Sequence, residues 1–78
     1  MNREKIKLTT PEMATEFINI CSKYNYDINL YDGNNIIDAK SIVGVFGIEQ
    51  GKVIEVQMIS SNEDVIINFI NDIRKFEV

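Results

Sequence analysis

The sequence predicts an α+β domain in which one four-stranded antiparallel sheet carries three helices on one face. Its 78 residues match the size of a single domain. Four short segments alternate polar and apolar residues, as half-buried strands do. Two longer segments place their apolar residues on one broad helical face, which packs best on a flat apolar surface such as a sheet. We therefore assign residues 1–78 to one domain with the element order β-α-β-β-α-β-α.

The composition and the charge are those of an ordinary globular protein, and they restrict its partners. The chain is 45% hydrophobic and 26% charged, and its net charge at pH 7 is −4. Lysine and arginine are scattered, whereas a nucleic acid partner requires a basic stripe on the protein surface. An anionic membrane surface is disfavoured for the same reason. We therefore expect neither a nucleic acid nor a membrane as a partner.

Several features that define other protein classes are missing from the sequence. No apolar run approaches the roughly 20 residues of a membrane span, and residues 1–5 lead into no apolar signal-peptide core. This predicts a cytoplasmic location, and the single cysteine, Cys21, agrees with a reducing compartment. The chain contains no histidine, so it lacks the commonest general base and the commonest metal ligand. We expect no cofactor and no metal site.

The N-terminal part predicts a strand followed by a helix. Residues 5–8 alternate polar and apolar side chains. Thr10 is placed to cap a helix, Pro11 suits the first helical position, and Glu12 favours the positive helix end. We expect this helix to run to about residue 24 or 25. Its apolar face contains Met13, Ala14, Phe17, Ile18, Ile20, Cys21 and Tyr24.

The middle of the chain predicts a hairpin and a short helix. Residues 27–31 alternate as a strand does, and residues 36–39 form the returning strand. The connecting Asp-Gly-Asn-Asn segment, residues 32–35, is a strong turn signal because glycine and asparagine tolerate positive φ. Ser41 then follows in the position of a cap for a helix from Ile42 to about Phe46.

The C-terminal part predicts a strand over residues 52–59 and a final helix. Either Ser60 with Glu63 or Ser61 with Asp64 would form a capping box at the start of that helix. For the sheet we expect a split βαβ topology, with the first strand beside the third and the fourth beside the second. The apolar face of the last helix contains Val65, Ile66, Phe69, Ile70, Ile73 and Phe76.

Four short segments, taken in order, carry a resemblance to a known protein family. Ser22-Lys23-Tyr24 closes the first helix, and Asp27-Ile28-Asn29-Leu30 lies in the next strand. Lys40-Ser41-Ile42-Val43-Gly44-Val45 opens the short helix, and Gln50-Gly51 precedes the fourth strand. With this spacing the chain resembles HPr, the histidine-containing phosphocarrier protein family of the bacterial sugar phosphotransferase system. The resemblance covers nearly the whole chain and implies the family fold, an open-faced β-sandwich.

The resemblance also implies that the family's phosphoryl acceptor is missing. In that family a phosphorylated histidine lies just before the first helix, followed by a small residue, an arginine and a proline. Anchored on Ser22-Lys23-Tyr24, this sequence has Thr10 in the position of the histidine, with Pro11, Glu12 and Met13 after it. An imidazole holds a high-energy phosphoryl group and returns it, whereas a threonine hydroxyl would form a stable ester. We therefore expect a diverged member with no catalytic residue, which is not an enzyme.

Ser41 is the one position at which a functional residue of the family is matched. In Gram-positive members the serine that opens the short helix is phosphorylated by a dedicated kinase/phosphatase. The product then binds a transcriptional regulator in carbon catabolite control. The resemblance implies a regulatory phosphorylation site at Ser41, with HPr kinase/phosphatase or such a regulator as the partner. The alternative is that Ser41 is a helix cap and nothing more.

Three hypotheses about function follow from these residues. The first is a non-catalytic binding or regulatory module whose apolar contacts come from Ile42, Val45 and Phe46. The second is a phosphoryl carrier that uses an acceptor other than histidine. The third is a purely structural domain that serves in oligomerisation or docking. The sequence does not determine the oligomeric state.

Overall fold

A computed structural model describes residues 3–78 and confirms the predicted α+β fold with its four-stranded antiparallel sheet. No helix in this part of the chain is long and apolar enough to cross a membrane. After the last helix the chain makes a single 3-10 turn at Arg74–Phe76. The elements are β1 (Glu4–Lys7), α1 (Pro11–Ser22), β2 (Asp27–Asp32), β3 (Asn35–Asp38), α2 (Ile42–Phe46), β4 (Val53–Ile59) and α3 (Glu63–Asp72).

The order of strands in the sheet is β1-β4-β2-β3, and every neighbouring pair is antiparallel. The predicted contact between the fourth strand and the second is therefore confirmed. The predicted contact between the first strand and the third is wrong, because β1 pairs with β4 instead. β4 thus lies between β1 and β2, and β3 becomes an edge strand.

The apolar content of the two strands explains this arrangement. β4 has seven residues, and Ile54, Val56 and Met58 point into the core with almost no exposed surface. β3 has four residues and none of them is buried; only Ile37 is partly covered. A central strand has a neighbour on both sides and is covered by the helices, so the strand with the longer apolar row gains more from that place.

The core lies between the sheet and the helices, and aromatic residues connect α1 to the C-terminal part of the chain. The rings of Phe17 and Phe76 meet edge to face with centroids 5.6 Å apart, and those of Tyr24 and Phe69 do so at 5.4 Å. The Tyr24 hydroxyl also donates a hydrogen bond to Asp72 Oδ2 at 2.5 Å. The remaining core positions include Ile6, Leu8, Ala14, Ile18, Cys21, Ile28, Leu30, Ala39, Val45 and Ile73.

The ends of the helices differ from the predicted ones in two places. α1 ends at Ser22, because the amides of Lys23 and Tyr24 donate to carbonyls three residues earlier and tighten the last turn. The predicted capping boxes of α3 are wrong, since Asn62 is the cap. Its side-chain oxygen accepts hydrogen bonds from the amides of Asp64 and Val65 at 3.1 and 3.3 Å. A cap at Asn62 starts the helix at Glu63.

The predicted turn between β2 and β3 is confirmed, and it is tied to the start of β4. Asp32 and Asn35 are paired across the hairpin, which leaves Gly33 and Asn34 in the turn. Gly33 has a φ of +60°, in the left-handed region that favours glycine. Lys52 forms an ion pair with Asp32 at 2.6 Å and so connects the hairpin to the segment that leads into β4.

The strand order predicts that two isoleucines in the sheet differ in their contribution to stability. Ile54 on central β4 is buried and Ile36 on edge strand β3 is exposed. We expect Ile54→Ala to lower the free energy of unfolding by about 2–5 kcal/mol, because it leaves a cavity in the core. Ile36→Ala, the matched control, should change it by no more than about 0.5 kcal/mol. Urea unfolding of both variants measures this, and equal losses would contradict the strand order.

Candidate functional site

The start of α1 is built around Thr10, which caps the helix as predicted. Its backbone is extended, with φ −130° and ψ 160°, and its Oγ1 accepts a hydrogen bond from the amide of Met13 at 3.1 Å. Pro11 occupies the first helical position and Glu12 lies in the first turn, at the positive end of the helix dipole. The threonine hydroxyl is therefore already used to satisfy a backbone donor.

The start of α2 has the same construction around Ser41, which is half-buried and caps the helix as predicted. Its Oγ accepts a hydrogen bond from the amide of Gly44 at 3.0 Å, and its carbonyl accepts one from the amide of Val45 at 2.9 Å. The Ser41 amide in turn donates to the carbonyl of Asp38 at 3.0 Å. Both hydroxyls that the sequence singles out thus lie at helix starts.

Lys40 fixes the position of Ser41 relative to α1. Its Nζ donates a hydrogen bond to the carbonyl of Tyr24 at 2.5 Å, and its amide donates to Asp38 Oδ1 at 2.9 Å. The last turn of α1 contains no basic residue of its own, so the Lys40 ammonium supplies a favourable cation just beyond that negative helix end. Sequence reasoning missed this contact because Lys40 and Tyr24 are 16 positions apart and share no local motif.

α2 packs closely against β3, and a glycine makes this possible. A Cβ atom at Gly44 would lie 2.8 Å from Ile37 Cγ2 and 3.3 Å from Ser41 Oγ. The first distance is shorter than van der Waals contact allows, so a larger residue would require the Ile37 side chain or α2 to shift. Gly44 therefore allows the short helix, and the Ser41 hydroxyl with it, to lie close to β3.

The exposed apolar surface of α2 differs in one residue from the predicted contact set. Ile42 is 66% exposed and Phe46 is 47% exposed, as expected. The expected exposure of Val45 is wrong, because Val45 is 2% exposed and belongs to the core. Val43, which the prediction left out, is 86% exposed.

Helix geometry explains why Val43 is exposed and Val45 is buried. Successive residues of an α-helix are about 100° apart, so Val43 and Val45 point in nearly opposite directions. The helix sequence Ile-Val-Gly-Val-Phe is apolar apart from its glycine, and it therefore contains no polar face to show which side is inward. Only the position of the sheet decides that Val45 is buried. We define the α2 surface as Ile42, Val43 and Phe46.

Two shallow grooves adjoin the α2 surface, and both include Phe46. The first lies between α1 and α2 and contains no charged side chain; it is lined by Thr15, Ile18, Asn19, Ile42 and Phe46. The second runs along the exposed side of α1. Its lining residues are Pro11, Glu12, Thr15, Glu16, Asn19, Ile20, Lys23 and Phe46.

Neither the single cysteine nor a cluster of metal-binding side chains provides a reactive centre in residues 3–78. Cys21 is fully buried in the core, and this burial raises the pKa of its thiol to about 12. The thiol is therefore protonated at neutral pH and is not a nucleophile. Within residues 3–78, histidine, cysteine, aspartate and glutamate form no group of three or more that could hold a metal ion.

Comparisons with known proteins agree with the fold. The family model for the PTS HPr component phosphorylation site matches residues 12–75. HPr-C-His from Thermoanaerobacter tengcongensis is similar in structure, with a TM-score of 0.73 and 24% identity over 96% of this chain and 92% of that one. Phosphocarrier protein HPr from Bacillus anthracis has a TM-score of 0.67 and 18% identity over 91% and 94%. Among curated proteins no match was found.

The two structures are less than 25% identical to this chain and so establish the fold alone, whereas the family model covers most of the sequence. Members of that family are phosphocarriers rather than catalysts, and they act through contacts with other proteins. The match over residues 12–75, together with the β1-β4-β2-β3 sheet and its helices, shows that this chain belongs to the HPr phosphocarrier family of the phosphotransferase system.

Proposed function

We propose that this HPr-family chain is a cytoplasmic, non-catalytic protein-binding module that does not relay phosphate and is regulated by phosphorylation of Ser41. The observation that carries the proposal is the α2 surface, where Ile42, Val43 and Phe46 are all exposed beside a groove without charges. Apolar side chains grouped on the surface of a small domain are a common device of protein recognition.

The chemistry at the start of α1 supports the proposal that this chain does not relay phosphate. The chain has no imidazole to carry a labile phosphoryl group. Thr10, which the family resemblance puts in the histidine position, uses its hydroxyl as a helix cap. Glu12 follows in the first turn, where a phosphate-binding site would need a cation rather than a carboxylate. Phosphorylation of Thr10 would break the cap hydrogen bond and place the phosphate near the carboxylate of Glu12. The product would be a stable ester.

The geometry around Ser41 supports a regulatory phosphate at the other helix. Ser41 is only half-buried, and its Oγ is already oriented toward the amide of Gly44. A phosphate at a helix start gains from the free amides and the dipole of that end. Because Ser41 directly precedes the α2 surface, the added charge would change what that surface binds.

The first prediction from this proposal concerns the modified residue. Incubation of the full chain with HPr kinase and ATP should place one phosphate on Ser41, located by mass spectrometry. Ser41→Ala should abolish the labelling. Ser60→Ala is the matched control, because Ser60 Oγ also accepts a backbone amide just before a helix, from Asn62 at 3.0 Å. Its labelling should equal that of the unchanged chain. A wild-type chain without phosphate on Ser41 would remove the regulatory part of the proposal.

The second prediction concerns relay. With phosphoenolpyruvate and the general phosphotransferase enzyme, the chain should acquire no acid-labile phosphate, because it has no imidazole. An HPr protein that carries its histidine is the positive control. If the chain did acquire acid-labile phosphate, it would be a phosphoryl carrier with a different acceptor, and our proposal would be wrong.

The third prediction concerns the α2 surface as a contact for the kinase. Val43→Asp should slow phosphorylation of Ser41 at least about tenfold, since it puts a charge into an apolar contact. Because Val43 is exposed, the free energy of unfolding should change by no more than about 0.5 kcal/mol. Ile67→Asp is the control, because Ile67 is an apolar residue on α3 that is also exposed, and this change should leave the rate unchanged. Equal rates for both variants would show that α2 is not the contact surface.

A further inference from the structure

The exposed side of α1 carries opposite charges at its two ends. Glu12, Glu16, Asn19 and Lys23 follow one another at intervals of three or four residues and lie along the same shallow groove. With a rise of 1.5 Å per residue, the backbone positions of Glu12 and Lys23 are about 16 Å apart. The exposed helix side thus has an anion at its start, a cation at its end and polar residues between them.

The two terminal charges are available to another molecule. Within residues 3–78 the side chains of Glu12 and Lys23 make no hydrogen bond and no ion pair. Glu16, by contrast, is already paired with Lys75. The available charge pattern is therefore one carboxylate and one ammonium, placed symmetrically about the middle of α1.

The charges on α1 are complementary to those on a second copy of the same helix. If two copies of α1 lie antiparallel about a two-fold axis through the middle of the helix, Glu12 of each copy faces Lys23 of the other. Glu16 of each copy then faces Asn19 of the other; the two Glu16 carboxylates lie near the axis, where the ion pair of each with its own Lys75 balances the charge. A two-fold interface requires this relation, in which residue i contacts j and residue j contacts i.

An apolar surface lies beside the same helix side and would be covered in the same contact. Phe46 lines the charged groove and also the uncharged one between α1 and α2, where Ile18 and Ile42 join it. Removing exposed apolar surface from water supplies the favourable free energy, while the charges fix the direction of the two helices.

We propose that a second copy of this chain docks on the α1 side and the α2 surface, with Glu12 of each copy paired with Lys23 of the other. The contact is small, and each copy has a net charge of −4, so the dimer is weak and reversible. It uses the surface that a different protein partner would need, so the two contacts exclude each other. The inference does not depend on phosphorylation of Ser41.

Charge reversal tests the pairing with the full chain. Sedimentation equilibrium from about 20 µM to about 1 mM should show a monomer–dimer equilibrium. Glu12→Lys alone or Lys23→Glu alone turns both pairs into like-charge contacts and should raise the dissociation constant about tenfold or more. An equimolar mixture of the two variants should associate again, because both pairs are attractive in the mixed dimer and its total charge equals that of the wild type.

Matched variants separate the pairing from the effect of net charge. Glu63→Lys reverses an exposed acid in the first turn of α3, and Lys7→Glu reverses an exposed base on β1. They change the net charge by the same amounts as the two test variants. We expect each of them to leave the dissociation constant within about threefold of wild type.

Three results would overturn the proposal. A wild-type chain that stays monomeric over the whole concentration range would exclude the dimer. The mixture of Glu12→Lys and Lys23→Glu could associate no more than either variant alone, which excludes the pairing. Alternatively, Glu63→Lys and Lys7→Glu could weaken association as much as the test variants do, which would leave only a net-charge effect.

Discussion

The central place of β4 in the sheet is the constraint on which the rest of the structure depends. Its inward row of Ile54, Val56 and Met58 is buried because β1 and β2 flank it and the helices cover it. Once β4 lies between these strands, β3 has no place except the edge. α2 follows β3 after three residues and is therefore held at the edge as well. One side of α2 then meets the core, and the other side has nothing to cover it.

The close contact between Gly44 and Ile37 determines which residues of α2 are exposed. α2 lies so close to β3 that a Cβ atom at position 44 would require the Ile37 side chain or the helix to shift. With the helix held at that distance, Val45 points into the core and Ile42, Val43 and Phe46 remain outside. These apolar residues are thus exposed because of the position in which α2 packs against the sheet. They are also the residues on which our proposed binding function depends.

The two helix starts have the same local chemistry and different consequences. Thr10 and Ser41 each accept an amide hydrogen bond from three residues ahead. At Thr10 the next side chains are a proline and an acid, and the carboxylate of Glu12 would repel a phosphate at that helix start. Ser41 instead directly precedes an exposed apolar surface, so a charge added at that residue would alter a contact. Our proposal of a regulatory role for Ser41 alone therefore depends on what surrounds each hydroxyl.

The α1 side and the α2 surface together form one continuous face with two proposed uses. A second copy of the chain would need Glu12 and Lys23 as well as Phe46. A different protein partner would need the apolar residues of α2. Because the uses overlap at Phe46, the concentration of the chain would influence how much of it is available to the partner.

The sequence by itself determined the elements of this protein, because strand alternation, helix faces, the turn at Gly33 and the caps Thr10 and Ser41 are local properties of the chain. It also determined the family, through the segments around Lys40-Ser41. It did not determine which strand lies in the centre, since hydrogen bonds between strands depend on distant residues. It could not assign Val45 to the core either, because a short apolar helix has no polar side to orient it. The tertiary structure decided both, through the position of β4 and the contact of Gly44 with Ile37.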